Sequence, residues 1–519
     1  MSERRHVLLW GPSGAGKSTV GRLLADELGR AFVDTDAAAE TRLGVAIPEL
    51  FASGREADFR AAEQAVLEDA LASEAPAVIA PGGGALVSEA LRFRALDAAC
   101  VVRLTCDLAT RAERLRNDAA VRPLVAPSIE DKLAALESQR REAYAAAHLA
   151  VDASADAASV ARRIAAMLEA GIVPLRVGGH AYAAELSSGT AAARLRELLR
   201  THAPTSTFVV TDENVARLHP DLVGAIPGAR VITLIPGEEH KRLSAVERIV
   251  DELVLGGADR SSLVVAIGGG VVSDLGGLAA ALFSRGIAWV AVPTTLLSMV
   301  DASLGGKTGA NLSTGKNLVG AFHHPSEVVV DPERCLTESS RSVASGLSEA
   351  LKSALVGDAT LLDLLERPDA LGAHLAEIVR RSLVVKARIV EADPTERGVR
   401  AHLNFGHTFG HALEVVAGFG TWTHGEAVAA GMVTALQIGE HLGRTPHGLT
   451  ERIRALLTSL NLPTRIPPEL LRDCHAALQR DKKRTGGRYR FVLIESAGRA
   501  CTVDLSHAEL VELSRRATA

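Results

Sequence analysis

Nine residues near the start of the chain, Gly11-Pro-Ser-Gly-Ala-Gly-Lys-Ser-Thr19, have the types and order that grip a nucleotide's phosphates. Glycines let backbone amides close on the oxygens, Lys17 can reach the β/γ phosphates, and the Ser18 hydroxyl suits Mg2+. The apolar run before the loop, His6 to Trp10, reads as a buried strand, and Lys17 to Leu28 reads as a helix. Gly14, Ala15, Gly16, Lys17, Ser18 and Thr19 are therefore candidate ATP-binding residues.

A second set of chemically capable residues lies far downstream. Ile267-Gly-Gly-Gly-Val-Val-Ser-Asp274 comes after an apolar run and leads into a helical pattern, a turn where backbone can touch a pyrophosphate, although it is not a GxGxxG. Asp301, Lys307, Lys316 and Asn317 stand in a glycine-rich stretch suited to an anionic ligand beside a nucleotide. Glu349, His407 and His424 offer one carboxylate and two imidazoles, a set that fits Zn2+ with a position left open for substrate oxygens; Co2+ accepts the same ligands. His407 and His411 are four apart and share one helix face. Thr408 after His407 excludes the HExxH protease pattern.

Positioning two such sets requires more than one core. The chain has 519 residues, enough for two to four domains. Strand-like runs at Ala31 to Val33, Ala77 to Ala80, Cys100 to Leu104 and Leu149 to Val151 alternate with helical patterns, which predicts a parallel sheet with helices on both faces. The helix over Val160 to Glu169 stops at Gly171, with Pro174 soon after, so a boundary with a short linker is expected there. Thr207 to Thr211, Val231 to Ile235, Leu263 to Ile267, Ile287 to Val292 and Val328 to Asp331 predict a second α/β domain over 171–335. Amphipathic helical patterns dominate 336–519, predicting a mainly helical third domain.

Composition excludes other classes. A net charge of −5 with 47% hydrophobic residues argues against coating nucleic acid or a membrane surface. Five scattered cysteines fit reduced thiols. The short Val7 to Trp10 run is no signal-peptide core, and no stretch suffices for a membrane span, so a cytoplasmic location is expected.

Combinations of residues then point to families. Besides the phosphate loop, Asp34-Thr35-Asp36, Arg60 with Glu63, Gly82-Gly83-Gly84, Arg122-Pro123-Leu124 and Gln139-Arg140 before Tyr144 make residues 1–170 resemble shikimate kinase. The resemblance implies that Ser18 and Asp34 hold Mg2+ and that Asp36 binds the substrate hydroxyls and assists as base. Arg60 and Arg140 would bind the shikimate carboxylate, with Glu63 orienting Arg60, and Gly82, Gly83 and Gly84 would admit the ring. Arg122 would sit on a lid, touch ATP and stabilise the transferring phosphoryl group beside Lys17.

Gly268 to Asp274, Pro293-Thr-Thr-Leu296, Asp301 to Lys307, Gly315-Lys-Asn-Leu-Val-Gly320, Glu349 to Lys352 and Asn404-Phe-Gly-His-Thr-Phe-Gly-His411 make residues 171–519 resemble 3-dehydroquinate synthase. That resemblance implies NAD bound by Asp212, Asn214, Glu238, Lys241, Gly269, Gly270, Asp274, Thr294, Thr295, Lys307, Lys316 and Asn317. Zn2+ or Co2+ would rest on Glu349, His407 and His424, and His411 would relay a hydroxyl proton. Heptulosonate phosphate would meet Arg285, Asp301, Lys307, Lys352, Lys386, Arg400, Asn404, His411 and Lys482, with Lys352 and Arg400 among the catalytic groups. Ser273 and Ser348 depart from the family's usual glycine and alanine. The expected product is a bifunctional enzyme of the shikimate route with small-molecule substrates only; a homodimer through the synthase half is left open. The alternative is another sugar-phosphate cyclase, or a metal-dependent polyol dehydrogenase, carrying a nucleotide-sensing P-loop module.

Overall fold

The computed structural model describes residues 6–117, 129–313, 315–418, 420–479 and 488–518. The chain divides into two compact units, Met1–Glu185 with Ala193–Ala203, and Leu186–Ala192 with Pro204–Ala519.

In the first unit, β1 (His6–Trp10), β2 (Ala31–Asp34), β3 (Ala77–Ala80), β4 (Ala99–Thr105) and β5 (Leu149–Asp152) form a parallel sheet in the order β2-β3-β1-β4-β5. The unbroken apolar run of β1 reflects its central place. Val7 and Leu9 enter one core with Leu24, Val102 and Ile164, and Leu8 and Trp10 enter the opposite one with Ile79, Leu91 and Val101. Both faces are covered, so no alternation is needed. Each such side chain contributes about 1.5–3 kcal/mol of burial.

The helix Ala157–Ala170 does end at Gly171. In place of the expected linker, however, the chain forms an antiparallel hairpin of β6 (Ile172–Val177) and β7 (His180–Leu186) around Gly178-Gly179. Pro174 is tolerated because β6 is an edge strand, where a missing N–H costs no ladder bond.

In the second unit, β8 (Thr207–Asp212), β9 (Arg230–Leu234), β10 (Leu263–Gly268), β11 (Ala288–Pro293) and β14 (Glu327–Val330) run parallel in the order β14-β11-β10-β8-β9. Their carboxyl ends therefore share one edge. The polar run after Gly306 is an antiparallel ladder, β12 (Lys307–Leu312) with β13 (Gly315–Phe322). Helices Ser340–Gly357, Leu375–Ala392, His407–Ala417 and His424–His441 build the remainder, the last of them almost wholly buried. One further hairpin, β15 (Arg488–Ser496) with β16 (Arg499–Ser506), interrupts the expected helical third. All five cysteines are free thiols. Among the described residues no helix is long and apolar enough to cross a membrane.

Candidate active sites

The phosphate loop leaves β1 through Gly11 (φ +143°), Gly14 (φ +82°) and Gly16 (φ +90°). A Cβ at Gly11 would lie 2.6 Å from the Leu104 carbonyl oxygen, and one at Gly14 2.7 Å from that of Arg111, so side chains are excluded by space as well as conformation. Gly16 caps the helix Lys17–Leu28 without a side-chain acceptor, which leaves the amides of its first turn directed at a ligand. Lys17 Nζ lies across the loop, donating to Gly11 O at 2.9 Å and Pro12 O at 3.3 Å.

Opposite the loop, Asp34 ends β2 and caps the next helix, accepting from the Asp36 and Ala37 amides at 3.1 and 3.3 Å. The fully buried Thr35 accepts from Gly82 N–H at 3.1 Å and so pins the glycine triplet to β2. Asp36 and the buried Glu63 both face Gly82, where any side chain would strike their carboxylates. Burial and then the neighbouring Asp36 push Glu63 upward against the pull of Arg60, its partner at 2.9 Å. Arg140 and Tyr144 both donate to Gly83 O, at 2.8 and 2.9 Å. Arg60 and Arg140 converge on Gly84, so two guanidiniums and two carboxylates face one glycine-lined floor.

In the second unit the shared carboxyl edge carries Asp212, Glu238, Gly269, Gly270, Thr294 and Thr295. Gly269 caps the helix Gly270–Leu282 with no side-chain acceptor, again leaving amides for an anion. Lys241 pairs with Asp274 and donates to Asn317 Oδ1 at 2.7 Å. Asn311 joins the same network, donating to Glu238 Oε1 at 2.8 Å and accepting from Asn317 N–H at 2.8 Å. Asp212 caps its own helix through Val215 N–H, and Asn214 is exposed beside it.

Deeper in, Glu349 is fully buried, and its Oε1 accepts no hydrogen bond while lying 3.6 Å from His407 Nε2 and 3.5 Å from His424 Nε2. One ligand atom from each of these three residues falls within 4.8 Å of the others. Burial drives His407 down to about 3, so its imidazole is neutral and can donate a lone pair. Burial would lower His424 too, but Glu349 and Glu414 outweigh it and raise His424 to about 10. The His411 ring packs edge-on to His407, centroids 5.1 Å apart. Lys352 pairs with Glu349 and stands 3.5 Å from Asp301, which Lys386 approaches at 2.9 Å. Burial favours a neutral Asp301, yet the two lysines hold it down at about 2. Lys386, desolvated and incompletely matched, falls to about 8. A buried carboxylate between two imidazoles with an oxygen lacking a donor is the arrangement a divalent cation completes.

Models of 3-dehydroquinate synthase match residues 231–345 for its N-terminal part and 346–484 for its C-terminal part, and a shikimate kinase model matches 13–169. The 3-dehydroquinate synthase of Halorhodospira halophila is 44% identical over 304 residues, 56% of this chain and 84% of that protein. The chain belongs to the 3-dehydroquinate synthase family, with a shikimate kinase domain ahead of it. A 2-epi-5-epi-valiolone synthase from Streptomyces hygroscopicus, solved with NAD+ and Zn2+ bound, is 28% identical and superposes with a TM-score of 0.57 over 64% of this chain and 96% of its own. A 2-deoxy-scyllo-inosose synthase complexed with carbaglucose-6-phosphate, NAD+ and Co2+ is 25% identical, with a TM-score of 0.59 over 66% and 99%.

Arg285, expected from sequence to meet the substrate, lies at the amino end of β11, and Thr294 and Thr295 follow its carboxyl end. Arg285 is exposed, in left-handed backbone (φ +67°) after Ser284 (φ +49°), just before β11 begins. Arg122 and Lys482 lie outside the described residues. Arg400 is buried and donates to Gly305 O at 3.0 Å and Pro394 O at 2.6 Å. Three carboxylates are missing from the sequence-based expectation or underweighted in it. Glu396 (φ +61°) pairs with Lys307 and accepts from Asn404 at 2.6 Å, Glu414 touches both His424 and Lys316, and Glu63 lies beside Asp36. Glu414 was detectable, since it stands three residues after His411 on one helix. Nothing local marks Glu396, which arrives by a loop.

Proposed function

We propose that the two sites work as independent reaction chambers. In the first, ATP would phosphorylate a shikimate hydroxyl, and in the second a heptulosonate 7-phosphate would become 3-dehydroquinate with loss of phosphate. Shikimate's carboxylate would be clamped by Arg60 and Arg140, and Asp36 would hold the attacking hydroxyl and accept its proton. Lys17 would counter the charge spreading over the transferred group, assisted by Arg122. Ser18 and Asp34 are the groups suited to Mg2+ at the phosphates.

In the synthase, bound NAD+ would take up and return a hydride, and a Zn2+ or Co2+ ion on Glu349, His407 and His424 would polarise the substrate's adjacent oxygens as a Lewis acid. Oxidising C5 to a ketone acidifies the C6 proton, so phosphate leaves without a strong base. Lys352, Lys386, Arg400 and Asn404 would orient the substrate, Lys307 and Lys482 would answer its anionic groups, and His411 would carry the hydroxyl proton outward. Asp301 would hold both buried lysines in place. Lys316 and Asn317 would bridge nucleotide and substrate.

The observation that carries the synthase reading is the buried Glu349 carboxylate, Oε1 facing two imidazole nitrogens at 3.5 and 3.6 Å. Purified protein given the heptulosonate phosphate should release inorganic phosphate with no net NADH, and given shikimate plus ATP it should form ADP and a phosphorylated acid. Accumulating NADH would mean a polyol dehydrogenase instead, and ATP turnover indifferent to shikimate would mean a sensor module. A chelator that strips zinc in the presence of excess Mg2+ should abolish phosphate release and leave the kinase reaction intact.

A further inference from the structure

We infer that Glu414 is the positioning residue for His424, fixing which ring nitrogen faces the cation and linking the opposite nitrogen to Lys316. This rests on the assignment of Glu349, His407 and His424 as cation ligands. Glu414 sits on the helix His407–Ala417, is only 5% exposed, and spends its two oxygens on different partners. Its Oε2 lies 3.3 Å from His424 Nδ1, and its Oε1 lies 2.9 Å from Lys316 Nζ. The other ring nitrogen, Nε2, is the one 3.5 Å from Glu349.

Each nitrogen of His424 thus faces a carboxylate, and the two carboxylates are not equivalent. Glu349 Oε1 is shared between His424 Nε2 and His407 Nε2 at 3.5 and 3.6 Å, inside the candidate cation cluster, whereas Glu414 Oε2 faces His424 Nδ1 and so acts as acceptor for an Nδ1–H. That assigns the proton to Nδ1 and leaves the Nε2 lone pair for the ion, because a neutral imidazole can donate at only one nitrogen. A carboxylate in this place raises the ligand's basicity and holds its ring plane, and removing such a partner commonly weakens metal binding about 10–100-fold. His411, Glu414 and His424 could by distance alone also surround a cation. The Lys316 ammonium on Glu414 opposes a second positive charge there.

The test is cation affinity in the full-length protein, read as Zn2+ competition against a chromophoric chelator and as the visible spectrum of the Co2+ form. Wild type, Glu414→Gln, Glu414→Leu and Lys316→Met are compared, with kinase turnover of the same chain and thermal unfolding of the metal-free protein as controls for integrity. One ion per chain is expected in wild type. Glu414→Leu should weaken it about 10–100-fold and alter the Co2+ bands; Glu414→Gln should fall between, since its amide oxygen still accepts from Nδ1 without the charge. Lys316→Met should change affinity far less than Glu414→Leu, because the Glu414 contact to His424 is kept. Unchanged affinity and spectrum in Glu414→Leu would overturn the inference. A wild type that binds no ion would instead bring down the ligand assignment beneath it.

Discussion

Lys17 spans the phosphate loop through two carbonyls, and an unbranched apolar side chain of similar length can fill its space without its charge. Lys17→Met should therefore lower shikimate phosphorylation by on the order of 100-fold or more, with dehydroquinate formation unchanged in the same preparation. Ser348 presents the opposite case, a polar group whose removal should help. It is fully buried with a hydroxyl that has no hydrogen-bond partner, on the helix that carries Glu349. Ser348→Ala removes that cost and improves helix propensity, so urea unfolding of the synthase half should shift to higher stability by about 1 kcal/mol. Candidate residues such as Gly14 to Thr19 or His407 and His411 could be picked out in the sequence because residue type and short spacing coincide there. Glu396 could not, since its meeting with Lys307 and Asn404 is made by the fold across long separations.

Among the elements, parallel strands such as β1 and β10 are legible in the sequence because burial on both faces forces an unbroken apolar run. β6 hides behind Pro174, and β12 and β13 behind polar residues and glycines that break the usual strand pattern. The two helices that present the imidazoles pack through glycine. Gly431, in the middle of His424–His441, leaves no room for a Cβ against the Gly406 carbonyl just ahead of His407. Gly431→Ala should push the helices apart, cost roughly 1–3 kcal/mol, and loosen the grouping of Glu349, His407 and His424. Zinc retention during dialysis and the unfolding midpoint are the measurements, and an unmoved midpoint would contradict the packing argument.

For the whole molecule, all assigned kinase residues fall between Gly14 and Arg140, and all synthase residues between Asp212 and Lys482. We expect a chain severed after residue 170 to yield a kinase fragment and a synthase fragment, each active alone; assays of the separated pieces decide it, and loss of kinase activity would place β6 and β7 among the first fragment's requirements. The steps served by the two chambers are not consecutive, so no handover of intermediate is required. Covalent union matters elsewhere: the cell cannot make one catalyst without an equal number of the other, nor discard them separately. A mutation that merely unfolds one unit exposes the shared chain to proteases, and two distant points of aromatic biosynthesis would then fail together.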